Sequence, residues 1–144
     1  LDRFLVRIEL DYPTPDFELA LYTGSDAEAR LAEVTPVMSP QDLLALQAET
    51  AKVHVREPVA EYALRVVQAT RNHPDVQLGA SPRAALAWLK VARARALLDE
   101  RDFILPDDLK AVAMCTLTHR IFMQRGDDAA PLLREILRNT PVPL

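Results

Sequence analysis

The stretch Leu78-Gly79-Ala80-Ser81-Pro82-Arg83-Ala84 carries the clearest chemical signal in the sequence, because it sets a guanidinium in the first turn of a helix. Ser81 is a natural N-cap and Pro82 a natural first helical residue. Unsatisfied backbone N–H groups and the positive end of the helix dipole draw an anion to such a turn. Arg83 opposes that dipole, which favours Asp or Glu there. A bound phosphate removes the conflict; a solvated Arg at an ordinary Ser-Pro helix start is the alternative. Two turns on, Lys90 falls on the same face, with Arg93 nearby. Such a face suits phosphate or an acidic partner, or is a solvated stripe.

Elsewhere no self-contained catalytic site can be written. The sequence holds no GxxxxGK(S/T), GxSxG, HExxH or CxxC motif, which removes the phosphate loop, the nucleophile elbow and the common zinc sites. His54, His73 and His119 fall in different elements without ligand spacing, so they read as surface or core-edge residues and no metal site is expected. Asp107-Asp108 reads as the acidic first turn of a helix rather than as an acid pair. The single cysteine, Cys115, excludes an internal disulfide and reads as a small buried apolar residue.

Composition bounds what must position these groups. With 144 residues, 49% hydrophobic and 26% charged, the chain is sized for one globular domain with a real core. Only 3 Gly, beside abundant Ala, Leu, Arg and Glu, favours an all-α body. A formal net charge of −4 gives no long-range pull towards nucleic acid or an anionic membrane. No apolar run approaches the roughly 20 residues that span a bilayer. With no signal peptide either, the expected setting is cytoplasmic. The sequence starts at Leu1, in mid-pattern, which suggests a piece of something larger.

In chain order, Phe4 to Leu10 alternates apolar with mixed residues and predicts one strand. Nothing later alternates in this way, so the strand must pair outside the chain, pair with another copy, or lie as an extended arm. Asp16 to Thr23 predicts a short helix with Phe17, Ala20 and Leu21 on one face, and a linker follows, with one helical turn around Ala27 to Ala32. Capping and proline signals then open helices at Ser39-Pro40, Pro58, Ser81-Pro82, Pro106 and Pro131. Val59, Tyr62, Ala63, Val66, Val67 and Thr70 form one inward stripe; Leu109, Val112, Ala113, Leu117 and Ile121 form another. The helix from Pro82 to about Glu100 is apolar nearly all round, which makes it the expected centre of a bundle. The boundaries are residues 1–24 for a strand and short helix, 25–38 for a linker, and 39–144 for a helical bundle.

Several of these stretches together resemble one family. Leu1-Asp2-Arg3-Phe4, a strand, Tyr12-Pro13, a helix, and then Gly79-Ala80-Ser81-Pro82-Arg83-Ala84 within a helical bundle look like the MoxR family of AAA+ ATPases. Val34 to Ser39, Thr70-Arg71-Asn72-His73-Pro74-Asp75 and Thr118-His119-Arg120 match as well, in the family's order and spacing. The Walker A loop, the Walker B acids and the sensor-1 Asn of that family lie outside the matching region. The resemblance therefore implies the last strand of the ATPase core followed by the α-helical lid.

What the resemblance implies is specific. Arg83 matches sensor 2, which reaches from the lid to the γ-phosphate of ATP in the same subunit, with Ser81 and Gly79 beside it at the nucleotide. Arg3 matches the arginine finger, which enters the site of a neighbouring subunit and stabilises charge on the phosphoryl group in flight. The parent is expected to use ATP and Mg2+, to form a hexameric ring, and to remodel client proteins, often metalloenzymes, with von Willebrand factor A-domain partners. The matched region alone is expected to be inactive. A free-standing helical interaction module without catalysis is the alternative function.

Overall fold

The computed structural model describes residues 3–24 and 31–143. Leu1, Asp2 and most of the helical turn expected at Ala27 to Ala32 lie outside these residues. Among the described residues the body is six α-helices and one two-stranded sheet, so the all-α class stands.

Each helix carries a proline in its first two positions, and some add a side-chain cap. Helix α1 spans Pro15–Tyr22 and α2 spans Pro40–Lys52. At the start of α2, Ser39 Oγ accepts the Asp42 N–H at 3.1 Å and Asp42 returns a carboxylate oxygen to the Ser39 N–H at 2.9 Å. Helix α3, Glu57–Asn72, buries Val59, Tyr62, Ala63, Val66, Val67 and Thr70, which is the stripe expected from its periodicity. It stops because His73 precedes Pro74 and takes an extended conformation. Helix α4 spans Pro82–Leu98, α5 spans Pro106–Leu117, and a 3-10 turn over Thr118–Arg120 closes α5. Helix α6 covers Ala130–Asn139 and buries Leu132, Leu133 and Ile136.

The core forms where α4 packs on α2, α3 and α5. Ala84, Trp88, Ala92 and Ala96 recur every fourth residue and are fully buried. The three alanines let α5 approach closely, while Trp88 fills the space between and donates its indole N–H to the Leu109 carbonyl at 2.8 Å. Helix α4 is not covered all round, as the sequence implied. Leu86 and Leu98 are 68% and 81% exposed, so part of its apolar excess points outward.

Three further expectations are narrowed or changed. Of the three outcomes open to the segment Phe4 to Leu10, the structure shows the extended arm: it pairs with no strand among the described residues, residues 6–10 lie outside any sheet, and an Arg7 N–H bond to the Cys115 carbonyl at 2.7 Å joins it to the body. β-forming residues without a neighbouring strand have no ladder to join. The sheet that does form pairs β1, Val76–Leu78, antiparallel with β2, Phe122–Met123. Both strands are too short to leave a period in the sequence. Ile121 is buried as expected, but it lies beyond α5, after the 3-10 turn, and Cys115 is half-buried at the arm contact rather than buried. No helix among the described residues is long and apolar enough to cross a membrane.

Candidate functional site

The segment carrying Arg83 is fixed by the end of α3. Thr70 Oγ1 is buried, donates to the Val67 carbonyl at 2.7 Å, and accepts the Ala80 N–H at 3.0 Å. Arg71 Nε donates to the Ala80 carbonyl at 2.7 Å. Both backbone groups of Ala80 are thus held by consecutive residues of one helix, which sets where α4 begins. Gly79 is needed for that approach. A Cβ built on it lies 2.7 Å from the Arg71 Cα and backbone N, and 2.8 Å from Cγ. Ser81 then caps α4, its Oγ accepting the Ala84 N–H at 3.1 Å. Gly79 and Ser81 therefore have steric and capping work in this structure. Pro82 has no N–H, and the Ala84 and Ala85 N–H groups already bond to Ser81. The first turn thus has fewer free N–H groups than the sequence suggested, and its exposed cation is the Arg83 side chain.

That side chain opens onto a groove of about 560 Å³ lined by Arg3, Leu5, Arg83, Leu86, Ala87, Lys90 and Arg120. Four of these residues are cationic, and none of the described lining residues is acidic. Arg3, Arg83 and Lys90 are exposed, whereas Arg120 is 4% exposed. The structure thus brings together Arg3 and Arg83, separated by most of the sequence, and places Lys90 with them as the helical spacing expected. Arg93 is not among the lining residues. Cations gathered along one groove suit a polyanion such as a phosphate chain.

The histidines do not converge, and no group of metal-ligating residues forms among the described residues. His54 is exposed and bridges backbone to Asp102 and Ile104. His73 is half-buried beside Asp75. His119 and Arg120 are buried at the 3-10 turn and both face the Phe4 carbonyl, Nε2 of His119 at 3.1 Å and Nη2 of Arg120 at 2.5 Å. Sequence reasoning found these two residues only as a matched motif, without a physical role. It missed altogether the ion pair of half-buried Arg101 with buried Asp108. Arg101 makes a two-pronged contact with Asp108 at 2.6 and 2.7 Å, and Asp108 also accepts the Leu105 N–H at 2.7 Å. Burial alone raises the Asp108 pKa, but these bonds outweigh it and hold the carboxyl below its usual range. Asp107 is exposed and pairs with Lys110, so Asp107-Asp108 is a helix start, with the second acid doing structural work.

Comparison with known proteins agrees with the geometry. Residues 68–138 match the AAA lid domain. The uncharacterized protein YeaC of Bacillus subtilis is 37% identical over all of this chain and 47% of its own length. Chaperone MoxR1 of Mycobacterium tuberculosis is 33% identical over 96% of this chain and 38% of its own length. A crystal structure of a candidate ATPase from Cytophaga hutchinsonii superposes with a TM-score of 0.85 at 30% identity, covering 99% of this chain and 48% of that one. The chain spans about half the length of the relatives it matches. With that likeness running along nearly the whole chain, and with the clamped Gly79-to-Arg83 segment inside the matched lid, the chain belongs to the MoxR family of AAA+ proteins.

Proposed function

We propose that this chain forms the lid portion, with an adjoining arm, of a MoxR-type ATPase, and that its groove receives the phosphates of ATP. The observation that carries this reading is the convergence of Arg3, Arg83, Lys90 and Arg120 on one groove. The described lining suits phosphate rather than Mg2+, which takes hard oxygen ligands; the metal would be held by carboxylates outside these residues. ATP supplies the phosphoryl group whose transfer to water releases energy. Arg83 holds phosphate oxygens from the lid, and Arg3 adds positive charge where negative charge builds up on the transferring group. The matched region alone does not hydrolyse ATP. In the full protein the cycle would drive a hexameric ring that remodels client proteins, with a von Willebrand factor A-domain partner. The chaperone name of one relative, MoxR1, supports the remodelling part of that extension.

The shared groove also bears on which nucleotide each arginine serves. Family resemblance assigns Arg83 to its own subunit and Arg3 to the neighbour. Two guanidiniums lining one groove of one chain favour a single nucleotide served by both. In the intact assembly, Arg3→Ala should retain nucleotide binding and lower turnover by about a thousandfold, and Arg83→Ala should lower turnover too. Normal turnover in either variant removes that residue from the site. Mixed assemblies of the two variants decide the geometry. If both arginines act on one nucleotide, every site lacks one of them and mixing restores nothing. Recovered turnover would return the two residues to different nucleotides.

A further inference from the structure

The arm that carries Arg3 has little side-chain packing to hold it. Phe4, Leu5, Val6, Ile8 and Leu10 are all exposed. Its attachment is by backbone, and the strongest point is the carbonyl of Phe4, the residue after Arg3. His119 Nε2 and Arg120 Nη2 both reach that one oxygen, at 3.1 and 2.5 Å. A carbonyl has two acceptor sites, so it can take both donors. Facing an acceptor, Nε2 must carry the proton. The two donors are themselves well anchored. They are 7% and 4% exposed, on a 3-10 turn whose first residue, Thr118, donates its hydroxyl back to the Met114 carbonyl of α5 at 2.7 Å. The Arg7 N–H adds a second tie to the Cys115 carbonyl of the same helix.

We infer that His119 and Arg120 are positioning residues for Arg3: by holding the Phe4 carbonyl they fix the arm so that the Arg3 side chain stays in the groove it shares with Arg83. The inference rests on Arg3 acting on the transferring phosphate. Arg120 also lines the groove and could touch an anion directly. His119 does not line it, which makes His119 the cleaner probe. Leucine at 119 fills similar space without a donor, and glutamine restores an N–H near the position of Nε2.

The test uses the intact protein with His119→Leu and His119→Gln, each alone and combined with Arg3→Ala. Steady-state turnover is read alongside hydrogen exchange at the Arg7 amide. With the carbonyl released, His119→Leu should lower kcat about tenfold, leave the KM for ATP unchanged, and speed Arg7 exchange by a similar factor. His119→Gln should restore both. In the Arg3→Ala background His119→Leu should have no further effect on kcat, because the residue it positions is gone. An equal kcat loss with and without Arg3, or unchanged Arg7 exchange, would overturn the inference. If Arg3→Ala alone leaves turnover intact, the catalytic reading of Arg3 fails, and Arg7 exchange still decides whether the carbonyl is held. Should His119→Leu not fold, Arg120→Met serves with the same exchange readout.

Discussion

Replacing Gly79 with alanine tests whether the segment before Arg83 is held by packing or kept open for a ligand. The added Cβ would sit 2.7 Å from two backbone atoms of Arg71 and 2.8 Å from its Cγ. The backbone of a helix end cannot swing aside as a side-chain tip can, so the loop must move away. That movement strains the two bonds to Ala80, at 3.0 Å from Thr70 and 2.7 Å from Arg71. Overpacking of this kind costs about 1–3 kcal/mol, and a weakened charge-assisted bond adds roughly 1 kcal/mol. The total of about 2–4 kcal/mol lowers the melting temperature by roughly 5–15 °C for a domain of this size. Calorimetry or circular dichroism melts of wild type and Gly79→Ala would measure it. A melting temperature unchanged within about 1 °C, with weaker nucleotide binding in the intact protein, would refute the packing argument and make Gly79 a ligand-approach residue.

Two other perturbations test the scaffold. Asp108 titrates lower in the folded than in the unfolded chain, so its contribution is present above about pH 4 and fades as pH falls through the folded pKa. Asp108→Asn should therefore cost about 3 kcal/mol near neutrality, leaving the half-buried Arg101 with only its contacts to exposed Asp99 and the Phe103 carbonyl, and the gap from wild type in urea unfolding should close towards pH 3; a gap constant across that range would show that the charge plays no part. Trp88→Ala should cost about 3–5 kcal/mol by opening a cavity between α4 and α5, and Trp88→Phe about 1–3 kcal/mol, chiefly through the lost bond to Leu109. Equal stability of Trp88→Phe and wild type in the same unfolding assay would remove that bond from the account.

The helices were legible because each begins with a proline or a capping residue and because the buried stripe of α3 follows helical spacing from Val59 to Thr70. Local rules of that kind need only neighbouring residues. The arm escaped them. Phe4 to Leu10 has the composition of a strand, but pairing depends on what lies beside it, and here the neighbour is a helix end offering one carbonyl. The site was half legible for the same reason. Ser81-Pro82-Arg83 marks a helix start wherever it occurs, and Lys90 follows by periodicity. The meeting of Arg3 with Arg83 depends on contacts more than a hundred residues apart, between Phe4 and the 119–120 pair. The resemblance supplied both arginines without saying that they share a groove. Asp108 looked like any first-turn acid, since nothing local distinguishes it from Asp107 until Arg101 folds back onto it.

The two arginines are delivered by the same physical device. Each sits beside a backbone group that side chains of the helical body hold: Thr70 and Arg71 grip Ala80, three residues before Arg83, while His119 and Arg120 grip Phe4, next to Arg3. Backbone anchoring leaves both guanidiniums exposed and able to reorient, yet fixes where each begins. The two anchors are joined through the core, since Trp88 ties α4 to α5 and the 3-10 turn continues α5. The spacing of the arginines is consequently a property of α4–α5 packing rather than of the exposed arm. A lid that rotates as one body would carry both charges to or from a phosphate together.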